Sequence, residues 1–201
     1  MGVRYVRAGA TLPRRPAKMG TDTPCDYIGP IANPNPKPMI GTYTDEELRQ
    51  LGQLPKRVTN PGARWSEKPG VHPVHRQRTF RAAATTEDDQ EFRFQIYQRQ
   101  NLLDQHNYSC GIVYLAPDGT RLTLARYNGS NHQHGGIRFQ PHIHRATEAA
   151  ITDGKKPEHA AEETTRYQTL EGALACLIED FSLSGVRANP DHPSLFNGHQ
   201  S

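Results

Sequence analysis

Between Glu91 and Gln98 the chain alternates, with Phe92, Phe94 and Ile96 on one side and Arg93, Gln95 and Tyr97 on the other. That period of two predicts a half-buried strand. Tyr108 to Leu115 reads as a second strand and Arg121 to Tyr127 as a third. Ala116-Pro117-Asp118-Gly119 turns between them, so 108–127 should be a hairpin. After Asn128-Gly129-Ser130-Asn131, Ile137 to Arg145 reads as a fourth strand, and Pro141 inside it implies an edge or a bulge.

Helical spacing appears twice. Thr44-Asp45-Glu46-Glu47 is a capping box that opens a short helix through about Leu51, ended by Pro55. Thr169 caps a helix running to about Ser182, with Leu170, Ala173, Leu174, Leu177, Ile178 and Phe181 on one face and Gly185 as its stop. This stripe is core packing. The expected fold class is α+β: an antiparallel sheet of about four strands packed by one C-terminal helix, after a long irregular N-terminal segment.

Hydrophobic residues make up 34% of the 201, with 17 Gly and 16 Pro, so only part of the chain should build a core. Residues 1–40 read as a disordered Pro/Arg-rich tail, and 41–77 as the short helix and a Pro/Gly-rich loop around Trp65, an anchor on the core. Residues 78–185 read as the α+β core domain and 186–201 as an irregular tail. Within the core, 152–166 is polar and acidic and reads as a loop.

Charge sharpens this picture. The net charge is +3, but residues 1–147 carry 20 Lys/Arg against 12 Asp/Glu, and 148–201 carry 4 against 9. A basic front half suits an anionic partner, RNA first. Cys25, Cys110 and Cys176 form no C-x-x-C pair, which argues for a reducing compartment over a disulfide scaffold. No apolar run is long enough for a membrane span, so a cytoplasmic protein without membrane contact is expected.

The chemistry should lie in Tyr127 to Glu148, which holds His132, His134, His142 and His144 as two His-x-His pairs. On a strand, His142 and His144 share a face while Ile143 turns into the core. Two imidazoles flanking a phosphate can act as base on the ribose 2′-hydroxyl and acid on the departing oxygen, because histidine holds both forms near neutral pH. On that reading His142, His144 and His132 are catalytic with Arg145 as the cation. Arg126, Arg138, Thr147 and His134 bind substrate, and no cofactor is needed.

A divalent transition metal such as zinc is the alternative, held by His142, His144, Glu148 and His132. A third option is a binding module holding an anionic ligand without turnover. His72 and His75 lie in a Pro-rich loop and read as solvated; Cys110 and Cys176 read as small buried residues.

Two resemblances follow. Gly136, His142-x-His144, Glu148 and Gly154 are spaced close to the first cupin signature, the family of metal-binding β-barrels. The second Gly falls one residue early, the second signature is missing, and the 169–182 helix takes chain a barrel would need. Arg126-Tyr127-Asn128-Gly129, His132-x-His134, Pro141-His142-Ile143-His144 and the closing helix resemble an uncharacterised family of small bacterial and phage proteins, over about residues 90–183. The matched positions are His132, His142 and His144. The chain departs from the family pattern at His134, often Asn there, and at Arg145-Ala146-Thr147. The resemblance implies a toxin- or defence-related setting, with an antitoxin or other neutralising protein as partner, and establishes no activity.

Overall fold

A computed structural model of the chain describes residues 43–68 and 74–186. The expectations for residues 1–40, and for all but the start of 186–201, lie outside these residues, as do Cys25 and His72. In chain order the elements are α1 (Asp45–Gln53), β1 (Lys56–Val58), β2 (Ser66–Glu67), β3 (His75–Thr85), β4 (Glu91–Asn101), β5 (Tyr108–Leu115) and β6 (Arg121–Asn128). Then come β7 (Gln133–His134), β8 (Ile137–Arg138), β9 (His142–Arg145), α2 (Glu148–Thr152), β10 (Ala161–Glu163), α3 (Leu170–Asp180) and β11 (Leu183–Ser184).

The class is α+β, and the sheet is larger than four strands. Nine strands join in the order β10-β9-β6-β5-β4-β3-β1-β11, with β2 added beside β3. Neighbours run antiparallel except β1 and β11, which are parallel. No helix among the described residues is long and apolar enough to cross a membrane.

The helices cover one face. Phe80 on β3, Phe94 and Ile96 on β4, Ile112 on β5 and Tyr127 on β6 form one buried cluster with Leu48 and Leu51 of α1 and Leu170, Ala173, Leu174 and Leu177 of α3. Burying each large side chain contributes about 1.5–3 kcal/mol. The capping box at α1 forms as expected, Glu47 N donating to Thr44 Oγ1 and Thr44 N to Glu47 Oε2. Thr169 caps α3 by accepting from Gly172 N.

Behind these helices Lys56 is 1% exposed, and its ammonium donates to the carbonyls of Gly52 (2.8 Å), Leu54 (2.7 Å) and Phe181 (3.2 Å). It thereby satisfies carbonyls at the C-terminal ends of α1 and α3, groups that have no partner within their own helices. Burial lowers its pKa to about 8.

Several expectations need correction. The segment 41–77 contributes α1, β1, β2 and the start of β3 to the same sheet-and-helix assembly. The span 137–145 is two strands: β8 pairs with β7 in a separate ribbon, and β9 begins after Pro141. β9 is no edge, since β6 and β10 pair with its two sides; Pro141 is tolerated because it precedes the strand. The loop expected at 152–166 contains β10. Trp65 does pack on the core, stacked under the guanidinium groups of Arg76 and Arg78, 4.7 and 4.8 Å from the ring centroid.

Candidate active site

The face of the sheet opposite the helices carries the histidines. Register across five strands sets two adjacent rows. Thr79, Tyr97, Gly111, Arg126 and His144 stand opposite one another in sequence, and beside them Gln77, Arg99, Ser109, Asn128 and His142. Ile143, between the two histidines, turns to the helical face and joins the core. From that side the buried Tyr167 hydroxyl donates to the carbonyls of His142 (2.9 Å) and Asn128 (3.2 Å), fixing β9 against β6.

The loop pair folds over this floor. β7 and β8 form a tight ribbon around Gly135, whose φ is +56°, a conformation glycine takes without strain. The ribbon brings the His134 ring to 4.6 Å from His144 and 5.6 Å from His142, centroid to centroid. His132 stands 5.0 Å from His142, and His142 5.2 Å from His144. All four imidazoles form one cluster.

Their roles differ. Both nitrogens of His142 are occupied: Nδ1–H donates to the Gln140 carbonyl (2.9 Å), and Nε2 accepts from the Asn128 amide (3.2 Å). His144 donates Nδ1–H to the Glu158 carbonyl (3.1 Å), so its Nε2 carries the lone pair, and that atom is buried without a partner. His144 alone of the strand pair lines the adjacent cavity, about 340 Å³, with His132, His134, Arg99, Arg126 and His75 among its walls. Among the described residues, no carboxylate side chain lines it.

The cavity is electropositive. The buried Nε atoms of Arg99 and Arg126 have no partner. Burial first, then Arg126 and the neighbouring imidazoles, pushes His144 down to about 3. His142 and His132 are also lowered, burial again being the main cause. Burial and the nearby positive charge therefore favour the neutral form of His144, His142 and His132, and a bound anion would oppose that positive field.

Other expected site residues lie elsewhere. Arg145 points to the helical face, where its guanidinium donates to Asp180 (2.7 Å) and lines a separate cavity of about 320 Å³ between α1 and α3. The reason is register: it is one residue beyond His144, and successive strand residues face opposite ways. Thr147 caps α2 by accepting from Ala150 N. Glu148 exchanges hydrogen bonds with Asp45 across two helix N-termini, so it is no fourth ligand beside the imidazoles. Arg138 is exposed and pairs with Gln133, the neighbour of His134 that faces the other side of the ribbon.

Four residues of this face were not expected at the site. Arg99 and Asn128 each extend a recognised strand by a residue, and continuing the alternation past Gln98 and Tyr127 would have placed both on this face. His75 is buried at 6% exposure and lines the pocket, contrary to the solvated reading. Tyr97 lies over Gly111 so closely that a Cβ there would fall 2.6 Å from its hydroxyl. Only glycine leaves room for that ring.

The fit to a metal is partial. Nδ1–H bonds to backbone carbonyls are the usual backing of metal-binding histidines. Among the described residues, though, no group of three or more His, Cys, Asp or Glu is arranged to hold an ion. Arg126 beside the lone pair also favours a negative occupant. No protein-family model, curated protein or solved structure matches this chain.

Proposed function

We propose that the protein cleaves RNA at this pocket, with His144 as general base. The observation that carries the reading is a cavity lined together by His144, Arg99 and Arg126, each with a buried nitrogen (Nε2, Nε and Nε) that has no partner, and by no carboxylate among the described residues. A ribonucleotide supplies what each atom lacks: phosphate oxygens that accept from the arginines and a ribose 2′-hydroxyl that donates to the imidazole.

In the reaction His144 Nε2 takes the 2′-hydroxyl proton as the 2′-oxygen bonds to phosphorus. The bond from phosphorus to the 5′-oxygen breaks, and a loop imidazolium, His134 or His132, gives that oxygen its proton. The products are a 2′,3′-cyclic phosphate and a free 5′-hydroxyl. Arg126 and Arg99 stabilise the charge that builds on the phosphoryl oxygens. His142 is a positioning residue, and no cofactor takes part.

The test is cleavage of an RNA oligonucleotide in EDTA with the cyclic phosphate identified. Cleavage that needs a restored divalent metal would favour the second reading, a metal site at the same imidazoles, which the backbone-bonded Nδ1 atoms support. A toxin-like role with a neutralising partner fits a ribonuclease and stands or falls with that activity.

A further inference from the structure

The cavity is one end of a longer basic surface. Beyond the two rows that hold the site, the helix-free face continues through Arg81 opposite Gln95, and then through Arg57, Ala83, Arg93, Leu115 and Arg121. Arg57, Arg81, Arg93 and Arg121 are exposed. With Arg99 and Arg126 they put six arginines on one face, against Glu91 and Glu163 at its margins.

The two faces use their cations differently. On the helical side, Arg145 and Arg166 are neutralised by Asp180, with Glu179 adding to Arg166, while Arg76 and Arg78 stack on Trp65 and Lys56 donates to three carbonyls. Among the described residues, none of the six arginines of the open face is in an ion pair. Arg121 donates only to the neutral Gln95 (2.9 Å). Six uncompensated guanidinium groups on a helix-free sheet are costly through mutual repulsion unless an anion covers them.

We infer that this face is a track for single-stranded RNA, binding the nucleotides that flank the scissile bond. The inference rests on the cleavage reading and names its substrate class. From the row of Arg126 and His144 to the row of Arg93 and Arg121 is four residues along β4, about 13 Å at the strand rise. That is longer than one nucleotide. Tyr97, half-buried and packed against Gly111, lies in the row of Arg126 and His144, where it offers an aromatic ring for a base. A single strand is favoured because attack by a 2′-oxygen in line with the leaving oxygen needs a backbone free of duplex geometry.

The test compares a dinucleotide, which reaches only the pocket, with a 12-nucleotide single strand, using the full chain and the double variant Arg93→Glu, Arg121→Glu. The ratio of kcat/KM for the long strand to that for the dinucleotide should fall at least tenfold. The salt dependence of long-strand binding should weaken by about 0.7 in log–log slope per arginine lost. An unchanged ratio would overturn the track, as would displacement of the strand by polyaspartate at equal charge, which would mark a surface for an acidic protein. If the wild type cuts neither substrate, the cleavage reading fails by itself. Fluorescence anisotropy of the uncut 12-mer then decides the track: binding lost in the double variant supports it, and equal binding sinks it.

Discussion

Arg126 and His144 stand directly opposite one another on β6 and β9, both facing away from the helices. Burial and the cation opposite hold the imidazole neutral and leave its lone pair available, and a ribonucleotide there would satisfy both groups, its phosphate oxygens accepting from Arg126 and its 2′-hydroxyl donating to Nε2.

His144→Gln should reduce RNA cleavage by about 10²–10⁴-fold, the usual contribution of a general base, with little change in unfolding temperature. His142→Ala should lose stability as well as activity, because it leaves the Asn128 amide and the Gln140 carbonyl without their partner. Equal losses of activity at unchanged stability in both variants would contradict the division of roles. Single-turnover cleavage beside thermal melts measures this.

Stability should rise with pH up to about 6.5. The unfolded chain takes up protons on histidine near that value, whereas folded His144 does so only near 3, and His132 and His142 also below their ordinary value. Below 6.5 the unfolded state therefore binds more protons, and folding weakens as pH falls. Tm should be lower at pH 5 than at pH 7, and His144→Gln should shrink that difference. Inorganic phosphate should raise Tm more at pH 5.5 than at pH 7.5, since an anion in the pocket favours protonated imidazole. A flat profile from pH 5 to 7 would count against neutral buried histidines.

Arg145→Ala should leave cleavage within about twofold and cost less than about 1 kcal/mol, being a half-exposed ion pair. Asp180→Ala should cost more, about 1–3 kcal/mol. It removes the acceptor of the buried Tyr127 hydroxyl (2.6 Å) together with the partner of Arg166. Arg166, Tyr127 and Arg145 outweigh burial and hold Asp180 down at about 2. Its contribution is therefore present above the ordinary carboxylate value and disappears as pH falls towards 2. Urea titrations at pH 7 and pH 3 would check both variants; a tenfold loss of cleavage in Arg145→Ala would restore that residue to the site.

Lys56→Met should destabilise by about 2–4 kcal/mol, because three carbonyls lose a buried donor while the apolar stem is retained. An unchanged urea midpoint would show that those carbonyls find other partners.

Strands with large apolar residues on one side were legible. β5 spans the expected Tyr108–Leu115, and β4 and β6 differ from expectation only at their ends. β3 was not legible because its inner face carries Phe80, Ala82 and Ala84 while Arg76 and Arg78 share that side, so small and charged residues blur the alternation. β1, β2 and β11 have two or three residues each, too few to show a period. The histidine cluster was visible as a motif, and its face follows from Ile143. Which imidazole keeps a free lone pair was not visible, since that depends on Asn128 and Glu158, which come from β6 and the chain preceding β10.

The parallel pairing of β1 with β11 joins Lys56 to Leu183. Synthesis proceeds from the N-terminus, so the lysine's carbonyl cage stays incomplete until Phe181 has left the ribosome. The strands of the pocket are translated well before that. A ribosome-bound chain therefore holds its histidine face on an unfinished scaffold until the segment of Phe181 and β11 has emerged.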